Sequence, residues 1–127
     1  TDPKKLLAPS KALELCAQTA EALDYAHNQG LIHRDIKPAN LLYSRRQDLL
    51  KISDFGLARV TDNNRTKTGI VLGTPMYMSP EQLRGDPLDT RSDHFAFGAV
   101  LYELFTGDRL FHSADKYEAV CRRCFFK

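Results

Sequence analysis

The sequence predicts an α+β fold that is mainly α-helical, with a short β-hairpin set between long helices. Three observations carry that reading. Ser10 to Asn28 repeats apolar residues at spacings of three and four, the period of an amphipathic helix. Two short apolar runs, Leu41 to Tyr43 and Leu49 to Ile52, flank a turn-rich stretch from Ser44 to Asp48, which is the pattern of a hairpin. The run from His94 to Phe105 is apolar nearly all round, and such a helix is stable only when buried. At 127 residues the chain amounts to one domain or less.

Taken in order, the elements explain one another. Ser10 is the expected N-cap of the first helix and Gly30 the residue just past its end, so the helix delivers the chain into Leu31 and the loop that follows. Its apolar face is expected to hold Leu13, Cys16, Ala17, Ala20, Leu23 and His27, with Lys11, Glu14, Gln18, Glu21 and Asn28 opposite. His27 reads as a packed core histidine. The hairpin then brings Asp54 out at a strand end. Asp62 to Thr68 is polar and without apolar periodicity, so it reads as a mobile loop. Asp93 is expected to open the apolar helix, where the helix N-terminus favours a carboxylate. Asp115 to Phe126 looks helical again.

The chemistry is concentrated in the loop His33, Arg34, Asp35, Ile36, Lys37, Pro38, Ala39, Asn40. It puts a base, a cation and a metal ligand within a few residues, which suits the transfer of a phosphoryl group. Such a reaction asks little covalent chemistry of a protein and depends on positioning the nucleophile and neutralising charge. Asp35 can orient a hydroxyl and accept its proton. Lys37, two residues on, reaches the same side if the loop is extended, and its compact ammonium suits a phosphate oxygen. Asn40 offers a neutral carbonyl oxygen for a hard cation such as Mg²⁺. Pro38 fixes its own φ and biases Lys37 away from helix, which stiffens the loop. Asp54, followed by Phe55 and Gly56, is a second candidate Mg²⁺ ligand, and Gly56 lets the backbone turn sharply.

These two motifs, followed by Gly73 to Glu81 (GTPMYMSPE) and Arg91 to Gly98 (RSDHFAFG), stand in the order found in eukaryotic-like protein kinases, and the chain resembles a Ser/Thr protein kinase of the bacterial kind. The resemblance implies a protein-kinase-like fold in which residues 1–127 form part of the kinase domain, the large lobe, with a catalytic loop at 33–40 and an activation segment at 54–81. It implies Mg-ATP as cofactor and a Ser or Thr hydroxyl of a protein substrate as acceptor. Asp35 is implied as the catalytic base, Lys37 as the γ-phosphate contact, and Thr74 as the bridge between Asp35 and Lys37. Asn40 and Asp54 are implied as the metal ligands, and Leu42 completes the cofactor-binding set. Arg34 and Arg59 are implied as receivers of a phosphate on Thr66 or Thr68. His33, Phe55, Gly56, Glu81 and Asp93 are implied as structural, Asp93 by holding the backbone of the His33-Arg34 region and Glu81 by pairing with an arginine from a region these residues do not include. Phe95 and Leu110, the latter before Phe111, depart from the residues common in the family. No Gly-rich loop or strand lysine is identifiable in residues 1–9, so the N-terminal lobe is expected to be absent from these 127 residues, and the alternative to an active kinase is a non-catalytic remnant acting through protein–protein interaction.

Composition narrows the field further. The net charge of +2 comes from 18 Lys and Arg against 16 Asp and Glu, scattered and without interleaved aromatics, so no nucleic-acid surface is expected. The 3 cysteines suit a reducing cytoplasmic setting better than a disulfide framework. Cys121 and Cys124 make a CxxC without a second pair, which argues against metal or redox chemistry. No signal-like or membrane-spanning segment is visible. Composition leaves the oligomeric state open.

Overall fold

The structure, a computed structural model, describes residues 7–55 and 74–124. Helix α1 (Pro9–Asn28) leads through a loop and a single 3₁₀ turn (Pro38–Asn40) into the hairpin β1 (Leu41–Ser44) and β2 (Leu49–Ile52). A second 3₁₀ turn (Pro75–Tyr77) precedes the short helix α2 (Pro80–Arg84), the long helix α3 (Thr90–Thr106) and α4 (Ala114–Cys124). The expected α+β class, mainly helical with one hairpin, is what forms.

Helix α1 departs from expectation at its start and on its buried face. Ser10 is not the cap: Ala8 holds that position, with no side-chain hydrogen bond, and Pro9 starts the first turn, where its missing N–H costs nothing. The buried stripe is Ala12, Leu15, Thr19, Leu23 and Ala26, so the face is rotated from the expected one, and Leu13 is 61% exposed. Both stripes have helical spacing. The one that wins contains Thr19, whose hydroxyl donates back to the Leu15 carbonyl at 2.8 Å and so enters the core already satisfied. The C-terminus behaves as expected. Gly30 takes φ +79°, its N–H donates to the His27 carbonyl and Leu31 N–H donates to the Ala26 carbonyl, each at 3.0 Å, which is the Schellman arrangement.

The hairpin pairs Leu41 with Ile52, Leu42 with Lys51, Tyr43 with Leu50 and Ser44 with Leu49, antiparallel. Gln18 of α1 fastens it, its carbonyl oxygen accepting from Leu50 N–H at 2.7 Å and its amide donating to the Asp48 carbonyl at 3.3 Å. The main core joins Leu23 of α1, Ile36 of the loop, Tyr77, and Ala96, Ala99 and Val100 of α3, with Leu41 and Ile52 of the hairpin packed against it. Ile36 is fully buried. Its burial, at roughly 1.5 to 3 kcal/mol, anchors the loop that carries the polar chemistry.

Asp93 is likewise displaced from its expected place. Helix α3 begins at Thr90, capped by Asp89, whose carboxylate accepts from Arg91 N–H at 2.8 Å. Asp93 therefore lies one turn inside, where it is 1% exposed and turned to the interior. Phe95, one of the two departures, and Phe111, the residue after the other, both stack on Tyr117 of α4, with centroids at 6.2 and 3.9 Å. The Tyr117 hydroxyl donates to the Met78 carbonyl. That seats α4 on the segment after the second 3₁₀ turn.

Candidate active site

The loop 33–40 is held from beneath by one buried carboxylate. Asp93 Oδ2 accepts from His33 N–H at 2.8 Å and Oδ1 accepts from Arg34 N–H at 2.9 Å, while His27 Nε2 lies 2.8 Å from Oδ2. His27 is thus more than packing, since it serves the same carboxylate from α1. The His33 ring is fully buried and edge-on to Phe55, with centroids 4.6 Å apart. Its Nδ1 accepts from Asp35 N–H at 3.1 Å, which leaves Nε2 as the donor to the Ser53 carbonyl at 2.6 Å. Arg34 takes φ +77°, a left-handed conformation that costs an ordinary residue roughly 1 to 2 kcal/mol. The network around it makes that conformation affordable.

Above this base sit the reactive groups. Thr74 donates to Asp35 Oδ1 twice, from its N–H at 3.2 Å and from its hydroxyl at 3.0 Å. The same hydroxyl accepts from Lys37 Nζ at 2.7 Å, and Nζ lies 3.4 Å from Asp35 Oδ2. Lys37 is extended, with φ −159° and ψ 163°, so it stands on the same side as Asp35, as the residue before a proline should. Asn40 is 3% exposed and donates from Nδ2 to the Asp35 backbone carbonyl at 2.8 Å, with a longer approach of 3.4 Å to Oδ2. Its amide nitrogen is committed to Asp35, which leaves its oxygen as the group for a cation.

Asp54 stands beside Asn40 through the hairpin. Ser53 N–H donates to the Asn40 carbonyl at 2.8 Å, extending the strand pairing by one step, and Asp54 follows with an exposed side chain at φ +62°. One carboxylate and one neutral oxygen on adjoining chain ends suit Mg²⁺, which keeps most of its remaining coordination for water and phosphate. Among the described residues no group of three or more His, Cys, Asp and Glu forms a dedicated metal cage. The donor set therefore fits the expected cation without a closed site.

The other expected residues divide four ways. Leu42, 54% exposed, projects from β1 opposite the core-facing Leu41. Glu81 has a partner within these residues after all, accepting from the Ser92 hydroxyl at 2.9 Å. Gly56, Arg59, Thr66 and Thr68 lie outside the described residues. Arg34 is 3% exposed. Sequence reasoning missed Gln82, Ser53 and Ser92. Gln82, 1% exposed, donates from Nε2 to the Arg34 carbonyl at 2.6 Å. The signal available was a buried-looking glutamine directly after the GTPMYMSPE motif; its partner is a backbone carbonyl, which leaves no mark in sequence.

The family described as the protein kinase domain matches residues 1–126. Serine/threonine-protein kinase PknB of Mycolicibacterium smegmatis is 47% identical over 105 residues, covering 80% of this chain and 17% of its own length. Serine/threonine-protein kinase pkn3 of Myxococcus xanthus is 45% identical over 109 residues, covering 80% of this chain and 20% of its own. The chain thus spans about a fifth of the curated relatives it matches. The solved structure of the Cydia pomonella granulovirus kinase PK-1 superposes with a TM-score of 0.73 at 29% identity, covering 86% of this chain and 40% of that one. A loop pinned by Asp93, an Asp35-Thr74-Lys37 cluster above it and relatives of this similarity lead to one statement: the chain belongs to the protein kinase family, on its serine/threonine, Hanks-type bacterial branch.

Proposed function

We propose that this chain carries the base, the acceptor platform and the Mg²⁺ ligands of an ATP-dependent protein serine/threonine kinase. The observation that supports it is the Thr74 hydroxyl, 3.0 Å from Asp35 Oδ1 and 2.7 Å from Lys37 Nζ. Thr74 occupies Oδ1 with two hydrogen bonds, whereas among the described residues Oδ2 has only long approaches of 3.4 Å from Lys37 and Asn40. Oδ2 is the oxygen left to take the proton of an incoming Ser or Thr hydroxyl.

Bound Mg-ATP supplies the γ-phosphoryl group and, through the cation, neutralises charge on its oxygens. Asn40 and Asp54 would hold the cation. Lys37 places its ammonium beside the acceptor, where negative charge on the transferring group develops, and Thr74 keeps that ammonium and the base in one geometry. The substrate is a protein presenting its hydroxyl at Thr74 and Asp35. A cytoplasmic location suits an enzyme that draws on ATP. Among the described residues no helix is long and apolar enough to cross a membrane.

The test is transfer of γ-phosphate to a generic protein substrate by the full-length protein, beside its Asp35→Ala variant. Mg²⁺-dependent labelling of Ser or Thr that the variant loses is the expected result. Equal labelling by both forms removes Asp35 as base, and no labelling by either supports a non-catalytic kinase relative.

A further inference from the structure

We infer that Gln82 is a positioning residue that fixes the orientation of the catalytic base by gripping the peptide in front of it. The inference rests on the kinase reading above. The Arg34 carbonyl and the Asp35 N–H belong to one rigid peptide plane. Gln82 Nε2 donates to the carbonyl end at 2.6 Å, and the N–H end donates to His33 Nδ1 at 3.1 Å. Tilting that plane swings Cα and Cβ of Asp35, and so moves the carboxylate.

The plane needs an external hold. Arg34 lies at φ +77°, which L side chains rarely adopt. Asp93 fixes only the N–H groups of His33 and Arg34, upstream of the plane. The carbonyl side is fixed by Gln82. With Gln82 at 1% exposure, bulk water has little access to replace its amide.

Gln82 also joins two parts of the site. Its own N–H donates to the Ser79 hydroxyl at 3.2 Å, the cap of α2, so the side chain springs from a fixed turn. Residues 74–84 therefore hold Asp35 at two points, through Thr74 at the carboxylate and through Gln82 at the preceding peptide. A shift of that segment reaches the base by both routes, and a misplacement on the order of 1 Å can cost about a hundredfold in rate.

The experiment compares wild type, Gln82→Met and, as a control on the exposed side of the same helix, Arg84→Ala, all in the full-length protein. Met keeps the length and removes the donor. Single-turnover phosphoryl transfer should fall about tenfold in Gln82→Met with KM for ATP within about twofold, and the Asp35 amide should exchange with solvent about tenfold faster while the core amides of α3 do not change. Arg84→Ala should alter neither. Wild-type transfer with unchanged Asp35 exchange in Gln82→Met overturns the inference, as does exchange that rises equally throughout the domain. If Gln82→Met does not fold, Gln82→Leu is held to the same two readouts. If wild type itself transfers no phosphate, the kinase reading fails, and the Asp35 exchange rate still decides whether Gln82 holds that peptide.

Discussion

Asp35 has two oxygens with different duties, and this difference yields the first predictions. Oδ1 is fixed by Thr74, whereas Lys37 and Asn40 approach Oδ2 at 3.4 Å. Replacing Asp35 with Ala should lower phosphoryl transfer by about 10²- to 10⁴-fold, the usual range for a positioned general base, read as a single-turnover rate. Thr74→Val keeps the shape and removes the hydroxyl that both donates to Asp35 and accepts from Lys37. It should cost roughly tenfold, about the value of one to two net hydrogen bonds, while Thr74→Ser stays near wild type. A valine variant with full activity would remove the bridge from the mechanism. Asp35, Lys37, Asn40 and Asp54 could be nominated from the sequence because each carries its own chemistry. Gln82 and Ser53 could not, since their parts are played against backbone groups distant in the chain.

At the scale of elements, the ends of helices were easier to read than their faces. Gly30 was recognisable as the residue past α1, and its φ of +79° makes a direct prediction. No heavy atom lies within 4 Å of a Cβ placed there, so Gly30→Ala pays only the backbone cost. Chemical denaturation should show a loss of about 1 kcal/mol, and an unchanged midpoint would contradict the left-handed conformation. The buried face of α1 was misread because two stripes satisfy the same spacing. Burial of Thr19 depends on a hydrogen bond to Leu15 that hydropathy does not register. The N-termini of α1 and α3 were placed late for a related reason: Pro9 and Asp89 outcompete Ser10 and Asp93, and Asp93 is drawn instead into the interior by three donors.

Across the whole molecule, two predictions follow from what is buried and what is not. Burial, then the neighbouring Glu103 carboxylate, pushes the Tyr77 phenol up to about 12, and burial raises Tyr117 as well. An unfolded tyrosine titrates near 10. Between those values the unfolded chain loses a proton that the folded chain keeps, so stability is full below about pH 10 and declines as pH rises toward 12. Thermal melts should show that decline, and Tyr77→Phe should make it shallower, Tyr117 supplying the remainder. The second prediction concerns surface. Tyr25 is 69% exposed beside a groove of about 690 Å³ between α1 and β2, and Tyr102, Phe105 and Leu110 are each at least 40% exposed around the end of α3. Expressed as these 127 residues alone, the chain should self-associate and bind ATP weakly or not at all. Light scattering showing a monomer with tight ATP binding would sink that expectation.

The sequence by itself determined the family, the helical class with its hairpin, and which residues are the candidates for the proposed chemistry. Those properties are local: a motif, a period of three and four, a turn between apolar runs. Only the tertiary structure decided which stripe of α1 is buried, that Asp93 lies a turn inside α3 with His27 beside it, that Glu81 meets Ser92, and that Gln82 grips the peptide before Asp35. Each of these depends on contacts made only in the folded chain: Asp93 meets His27 and Glu81 meets Ser92 side chain to side chain, while Gln82 meets a backbone carbonyl of the kind that every residue possesses. A donor or acceptor common to all positions leaves no trace in the amino-acid order, and folding alone selects which of them are joined.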